Sequence, residues 1–324
     1  MNAPPTDGKR VLPEPLRQLV SSIFKAVPVP AEHADLFARL IVDTDLRGVV
    51  SHGVMQVDRY VRGFQEGRVN LNPQVRVLNE GPVTAALSGD GGLGIAVANQ
   101  AMGMAIAKAK ELGVGIVTTV YHEHIGSAGK YVRMALQEKL VGVGLSGRNA
   151  SPQYDHKQTP RGSVQGCPPM CVGAPAGPER PDFLLDMGTL LTDGVEFAQA
   201  PATFLKSIGL AHVSNILSGT LGGQMLPEFD RRYVKYTSSN QSGFFMALDI
   251  ARFTPVQAFT DDMDYLMDEV AQMQPFPGYD DANLPGGMEW KNERQYAAEG
   301  IPIAKEALDS LETLAGEYRL SVPW

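Results

Sequence analysis

The sequence predicts an α/β protein with helices gathered at both chain ends, and three observations carry that expectation. Strand-like and helix-like segments alternate between Pro73 and Asp249, the pattern of strands interleaved with covering helices. Amphipathic helices read at 14–27, 31–45 and 54–66 before that block, and at 256–273 and 304–318 after it. With 324 residues, 44% of them hydrophobic, the chain exceeds the ~250–300 residues at which single cores stop growing, so two lobes are expected.

The first helix places Leu16, Leu19, Val20 and Ile23 on one face with a proline in its first turn. The second runs towards D-L-R-G-V-V-S-H-G at 45–53, where Ser51 can cap a third helix carrying Met55, Val57, Tyr60, Val61 and Phe64. Strands then read at 75–78 and 83–88, followed by an Ala-rich helix over 96–112 that stops at Gly113. Gly89, Gly91 and Gly94 spell G-x-G-x-x-G between strand and helix, but the next strand ends in Tyr121-His122-Glu123 without the ribose-binding acid. The dinucleotide fingerprint of a Rossmann fold is therefore incomplete, although such a turn can offer backbone N–H groups to a phosphate or carboxylate.

The stretch 117–131, V-T-T-V-Y-H-E-H-I-G-S-A-G-K-Y, is where chemistry is expected. A β-branched run empties into two histidines flanking a glutamate, then a Gly-Ser-Ala-Gly turn and a helix over 130–138. A buried strand that delivers ionisable groups to a loop–helix junction suits proton transfer, which we assign to His124; His122 reads as structural. The H-E-H spacing places no third ligand, so no metal is expected. A strand at 140–145 leads into a Gly/Pro/Ser-rich passage, 146–181, read as a functional loop system holding Arg148, Asp155, His156, Lys157 and Arg161. The next strand, F-L-L-D-M, carries Asp186 on an apolar run, where a carboxylate needs a partner; a turn or N-cap role is the alternative. Helix 202–221 is apolar except for Lys206, His212, Ser214 and Asn215, and a last strand reads at 242–249.

Net charge is −8 and no Lys/Arg-rich block occurs, which argues against nucleic acid and anionic membrane and for a small-molecule partner. The polar, Pro-rich start lacks an apolar leader core and no run reaches ~18 apolar residues, so a cytoplasmic protein is expected. Cys167 and Cys171, in C-P-P-M-C, read as reduced, buried thiols in a tight loop.

D-L-R-G-V-V-S-H-G at 45–53, G-D-G-G-L-G at 89–94, H-I-G-S-A-G-K-Y at 124–131, L-D-M at 185–187, L-K-S-I-G-L at 205–210 and F-F-M-A-L-D at 244–249 occur in the order typical of one family, as do L-P-G and E-G-I-P near the end. On these motifs the chain resembles the malate/L-lactate dehydrogenase type 2 family, whose members include ureidoglycolate, sulfolactate, diketogulonate and cyclic imino acid enzymes. The resemblance implies a non-Rossmann α/β fold: a central mixed sheet flanked by helices over 76–249, holding cofactor and substrate, and a helical lobe from 1–75 with 250–324. It also implies a homodimer and NAD or NADP as hydride carrier.

By motif position, His124, His52, Asp186 and Lys206 are implied as catalytic, and Ser51, Gln56 and Tyr60 as substrate-binding. Arg148, Asp186, Met187, Lys206 and Gly286 are implied at the cofactor. Reduction of C=O or C=N by hydride builds charge on the heteroatom, so a proton donor with a pKa near working pH must lie within ~3 Å of it. The expected function is therefore an NAD(P)H-dependent reductase of a small 2-oxo acid or cyclic imino acid.

Departures from the family pattern keep alternatives in view. Gln56 stands where an arginine usually clamps the substrate carboxylate, and Arg59 or Arg148 are the candidates to replace it. The usual G-T-N-P reads Q-G-C-P-P at 165–169, and P-G-E reads P-G-G at 285–287. The same His/Lys/Asp cluster could serve isomerase, lyase or hydrolase chemistry without a dinucleotide, or the scaffold could be a silent binding subunit.

Overall fold

The computed structural model describes residues 4–148, 155–192, 194–230 and 234–324. In chain order the elements are β1 Lys9–Val11, α1 Pro13–Ala26, α2 Ala31–Leu46, α3 Val57–Gln65, β2 Arg76–Glu80, β3 Thr84–Ser88, α4 Gly94–Leu112, β4 Val114–His122 and α5 Gly129–Gln137. They continue with β5 Leu140–Arg148, β6 Pro169–Ala174, β7 Phe183–Gly188, α6 Pro201–Asn215, β8 Gln241–Asp249, α7 Val256–Ala271, α8 Gly287–Glu299, β9 Ile301–Ile303 and α9 Lys305–Glu317. The chain forms two compact units, Met1–Pro73 with Met267–Trp324, and Gln74–Leu266.

The first unit is helical because its apolar residues recur at helical spacing. Leu16, Ile23 and Phe24 of α1, Phe37 and Ile41 of α2, and Leu311 and Leu314 of α9 are all buried. Phe24 meets Phe37 and Phe64 edge-on, with ring centroids 5.5 and 6.4 Å apart. β1 and β9 pair antiparallel, Lys9 opposite Ile303. That two-stranded ribbon and α8 had no counterpart in the sequence reading.

The second unit is built on a seven-stranded sheet in the order β2-β3-β4-β8-β5-β6-β7. β3 and β4 are parallel, joined through α4, while every other neighbouring pair is antiparallel. The sheet is therefore mixed, and β3, β4, β5 and β7 all run the same way. Glycines show how closely the helices approach. A methyl on Gly115 of β4 would lie 2.0 Å from the Ala105 carbonyl of α4, and one on Gly142 of β5 would lie 3.1 Å from Val132 and Ala135 of α5. On Gly147 the same methyl would instead meet Asn215 and Ser218, so α5 and the end of α6 cover opposite faces of β5.

Several elements differ from expectation for local reasons. Helix 54–66 starts only at Val57, and Ser51 caps nothing, because Gly53 leaves helical geometry and two single 3-10 turns, Val50–His52 and Val54–Gln56, precede α3. The Pro-rich passage contains β6, with Cys171 buried in the strand and Cys167 exposed, so only one of the two free thiols is buried. Helix 202–221 stops at Asn215 and widens into a π turn over Ile216–Thr220. There the Ser218 hydroxyl donates back to the Ser214 carbonyl at 2.5 Å. Among the described residues no helix is long and apolar enough to cross a membrane.

Candidate active site

Because β3, β4, β5 and β7 are co-directional, their carboxyl ends meet at one edge of the sheet, where open α/β sheets bind ligands. That edge carries the Gly-rich turn after β3, the H-E-H segment after β4, Arg148 at the end of β5, and Asp186 and Met187 near the end of β7.

The end of β4 is shaped by a bulge. Thr119 pairs with Gly243 of β8 but His122 pairs with Gln241, so β4 carries one extra residue, and Tyr121 adopts φ +55°. The bulge brings Thr119 and His122 to the same side, where the Thr119 hydroxyl lies 2.8 Å from His122 Nε2. His122 Nδ1 lies 2.7 Å from the Glu123 carbonyl. A carbonyl only accepts, so Nδ1 carries the proton; with the ring neutral, Nε2 accepts from the Thr119 hydroxyl and both nitrogens are paired. Burial pushes its pKa down to about 4, and the bond to the Glu123 carbonyl pulls weakly the other way.

Glu123, also buried, is spent on the loop. Its N–H donates to the Gly92 carbonyl at 2.9 Å, and its Oε2 accepts the His124 N–H at 2.5 Å. His124 is the partly exposed residue of the three.

The Gly-rich turn serves as a clasp on this segment. Gly89 and Gly91 donate to the carbonyls of Val120 and Tyr121, and Gly92 donates to Gly89. A methyl on Gly94 would lie 2.3 Å from the Glu123 carbonyl and 2.7 Å from His122 Nδ1. The glycines allow a close approach, and the N–H groups of Gly89, Gly91 and Gly92 are engaged by the protein itself.

H-I-G-S-A-G-K-Y then fixes the loop from the other side. Ile125 is buried, Gly126 turns at φ +74°, and the buried Tyr131 hydroxyl donates to the Ile125 carbonyl at 2.6 Å. The N–H of Gly129, the first residue of α5, donates to Asp186 Oδ2 at 2.7 Å. Asp186 thus supplies the negative charge that a helix start favours. It is exposed rather than buried, a difference from the sequence expectation that leaves its need for a partner met by α5. Lys130, passed over in the sequence, is only 7% exposed; its ammonium packs against Gly126 and lies 5.5 Å from the Tyr131 ring centroid.

Arg148 is exposed, with its guanidinium beside Gly166 of Q-G-C-P-P and its N–H donating to Asn215 Oδ1 at 3.2 Å. Lys206 stands on the exposed side of α6, whereas its neighbour Ser207 is buried and bonds Thr189 and Leu191. Lys206 makes no hydrogen bond or ion pair with any described residue, so no bond joins it to His124 or Asp186. Asp155 and His156 are exposed loop residues. No group of three or more His, Cys, Asp or Glu residues that could hold a metal occurs among the described residues.

The helical unit holds the other expected residues. Ser51 Oγ and His52 Nδ1 are 2.9 Å apart. Gln56 donates to the Ser51 carbonyl at 2.8 Å and accepts from Arg59 Nη1 at 3.2 Å, so a cation stands at the neutral residue after all. Tyr60, expected to close over a ligand, is 3% exposed, because its position in α3 falls on the buried stripe. Gly286, with φ +100°, forms the left-handed N-cap of α8, a turn requirement.

Known proteins resemble the chain over nearly all of its length. The family model for malate/L-lactate dehydrogenase matches residues 11–193 and 188–312. A malate dehydrogenase from Pyrococcus horikoshii is 32% identical, with 94% of each chain covered. A ureidoglycolate dehydrogenase (NAD(+)) from Escherichia coli is 26% identical, covering 90% of this chain and 92% of its own. The solved structure of malate dehydrogenase from Pyrococcus horikoshii superposes with a TM-score of 0.82 at 28% identity, covering 99% of each chain. The chain belongs to the malate/L-lactate dehydrogenase family.

Proposed function

We propose that the protein is an NAD(P)-dependent dehydrogenase that interconverts a small 2-hydroxy acid and its 2-oxo acid, with His124 exchanging the proton. The observation that carries this reading is the division of labour after β4. His122 and Glu123 are consumed in holding the loop, while His124 stays partly exposed at the edge where four co-directional strands end. The dehydrogenase names of the relatives favour this reading over non-redox acid–base chemistry.

The donor set at that edge fits a dinucleotide. Arg148 is an exposed guanidinium suited to a phosphate, and Asp186 and Met187 stand near the end of β7, two strands along the same edge. When bound, the nicotinamide supplies or accepts the hydride. His124 donates a proton to the substrate oxygen in reduction and accepts it in oxidation. Asp186 holds the start of α5 and, through it, the loop on which His124 sits. We assign Ser51, Gln56 and Tyr60 to the substrate and His52 to the reaction on motif position alone, with Arg59, bonded to Gln56, as the cation for the carboxylate. We assign Lys206 to the cofactor or substrate as well, on its motif position alone. We also place the protein in the cytoplasm, consistent with its two free cysteines, and as a homodimer.

The test follows reduced-nicotinamide absorbance with a panel of 2-oxo acids and cyclic imino acids. Turnover with a 2-oxo acid, lost by ~10²-fold or more in His124→Ala, is the expected result. Absence of any thermal shift with either dinucleotide would overturn the redox reading. An activity that survives His124→Ala would remove that residue's role.

A further inference from the structure

Asp45 is not used by the chemistry above, yet it is one of the most deeply placed acids in the chain, at 1% exposure. A carboxylate at such depth has to be held by donors, so its bonds report what it is for. Oδ2 accepts the Val54 N–H at 2.7 Å. The rest of the group bears on the α-carbon of Gly53, where a methyl would lie 1.9 Å from Oδ1 and 2.1 Å from Cγ. The backbone carbonyl of the same residue accepts the Gly48 N–H at 2.8 Å.

Asp45 therefore grips the chain at both ends of the turn that carries Ser51 and His52. Between those grips, Val49 donates to Thr44, His52 to Val49 and Gly53 to Val50, which leaves the Val54 N–H to the side chain. Gly53, at φ −90° and ψ −143°, is the residue that leaves the helical path and turns that N–H inward. Val50, Val54, Ile303, Ala304 and Ala307 line the small cavity around the group, so its surroundings are mainly apolar.

We propose that Asp45 is a positioning residue: it sets the direction in which His52 leaves the end of α2, and acts on the reaction through His52. This rests on the reading of the chain as a dehydrogenase with His52 beside the substrate. Asparagine keeps an acceptor oxygen at the same place, whereas alanine removes it.

The experiment combines two readouts on the full-length protein, with Asp45→Asn and Asp45→Ala. Amide hydrogen exchange at His52 and Val54 is expected to quicken ~10-fold or more in Asp45→Ala, ahead of the exchange of the α1–α2 core, and to return towards wild type in Asp45→Asn. kcat/KM for the 2-oxo acid is expected to fall ~10-fold or more in Asp45→Ala, mostly in kcat, and by less than ~2-fold when the same change is made in His52→Ala. Additive losses in the two backgrounds, or unchanged local exchange, would overturn the proposal. A wild-type chain inert with every dinucleotide and oxo acid would instead overturn the dehydrogenase reading, and with it the catalytic clause, while the exchange readout still decides whether Asp45 holds the turn. If Asp45→Ala fails to fold, Asp45→Asn carries both readouts: wild-type exchange and activity support the acceptor role, and losses of ~10-fold or more in Asp45→Asn overturn it.

Discussion

Acidification should destabilise this protein through His122 in particular. The ring is wholly buried, its Nδ1 donates to the Glu123 carbonyl, and in the neutral form its Nε2 accepts from the Thr119 hydroxyl. Burial moves its pKa from 6.5 to about 4. The unfolded chain therefore binds this proton from about pH 6.5 downward, and the folded chain only near pH 4. The contribution is complete above the unfolded pKa and is lost as pH falls through the folded one. At 1.36 kcal/mol per pKa unit, the window between 6.5 and about 4 is worth ~3 kcal/mol, a large share of the ~5–15 kcal/mol that stabilises a typical domain. Denaturant unfolding of wild type and His122→Asn, repeated from neutral pH down to about 4, isolates the effect, because the carboxylates titrate in both and cancel in the difference. The asparagine amide can still donate to the Glu123 carbonyl, so the variant should be less stable at neutral pH and less sensitive to acid. Parallel stability curves, or a His122 ring resonance that titrates near 6.5, would refute the reasoning.

Three further outcomes follow from the same geometry. Asp186→Ala removes the acceptor at the start of α5 and should cost ~1 kcal/mol, read as a melting temperature lower by a few degrees; an unchanged Tm would mean that water replaces the carboxylate. Gly94→Ala drives a methyl into the Glu123 carbonyl and should cost ~1–3 kcal/mol while lowering activity, and full activity would show that the clasp yields freely. Gln56→Arg should raise kcat/KM for simple 2-oxo acids ~10-fold by restoring a charged fork, and no change would place residue 56 away from the substrate.

Much of the architecture is legible because its signals are local. The β-branched run of β4, the Ala-rich α4 closed by Gly113 and the amphipathic α1 and α2 each announce themselves within a dozen residues. What escapes the sequence depends on distant partners. β1 and β9 are three-residue strands some 290 positions apart, too short to show alternation. β6 starts at a proline inside a Pro/Gly-rich passage, and only its place between β5 and β7 makes it a strand. α8 opens on a pair of glycines, Gly286 at its N-cap and Gly287 as its first residue, and is largely polar. At the candidate site, the position of His124 at a strand end is readable, but the separate duties of His122 and Glu123 are not, since they arise from a one-residue bulge and a turn 30 positions away. The depth of Asp45 and Lys130 is likewise invisible in residue type, because charged residues are surface residues by default.

The clasp between the Gly-rich turn and the end of β4 is made of main chain against main chain, and that has a consequence for how such a site can diverge. The backbone contact at Gly94, against the Glu123 carbonyl, asks for the absence of a side chain there. The loop that carries His124 can therefore keep its place while an exposed residue such as Arg148, at the end of β5, is replaced. A fold arranged this way separates a loop held by its backbone from the side chains around it, so those side chains can change without moving the loop.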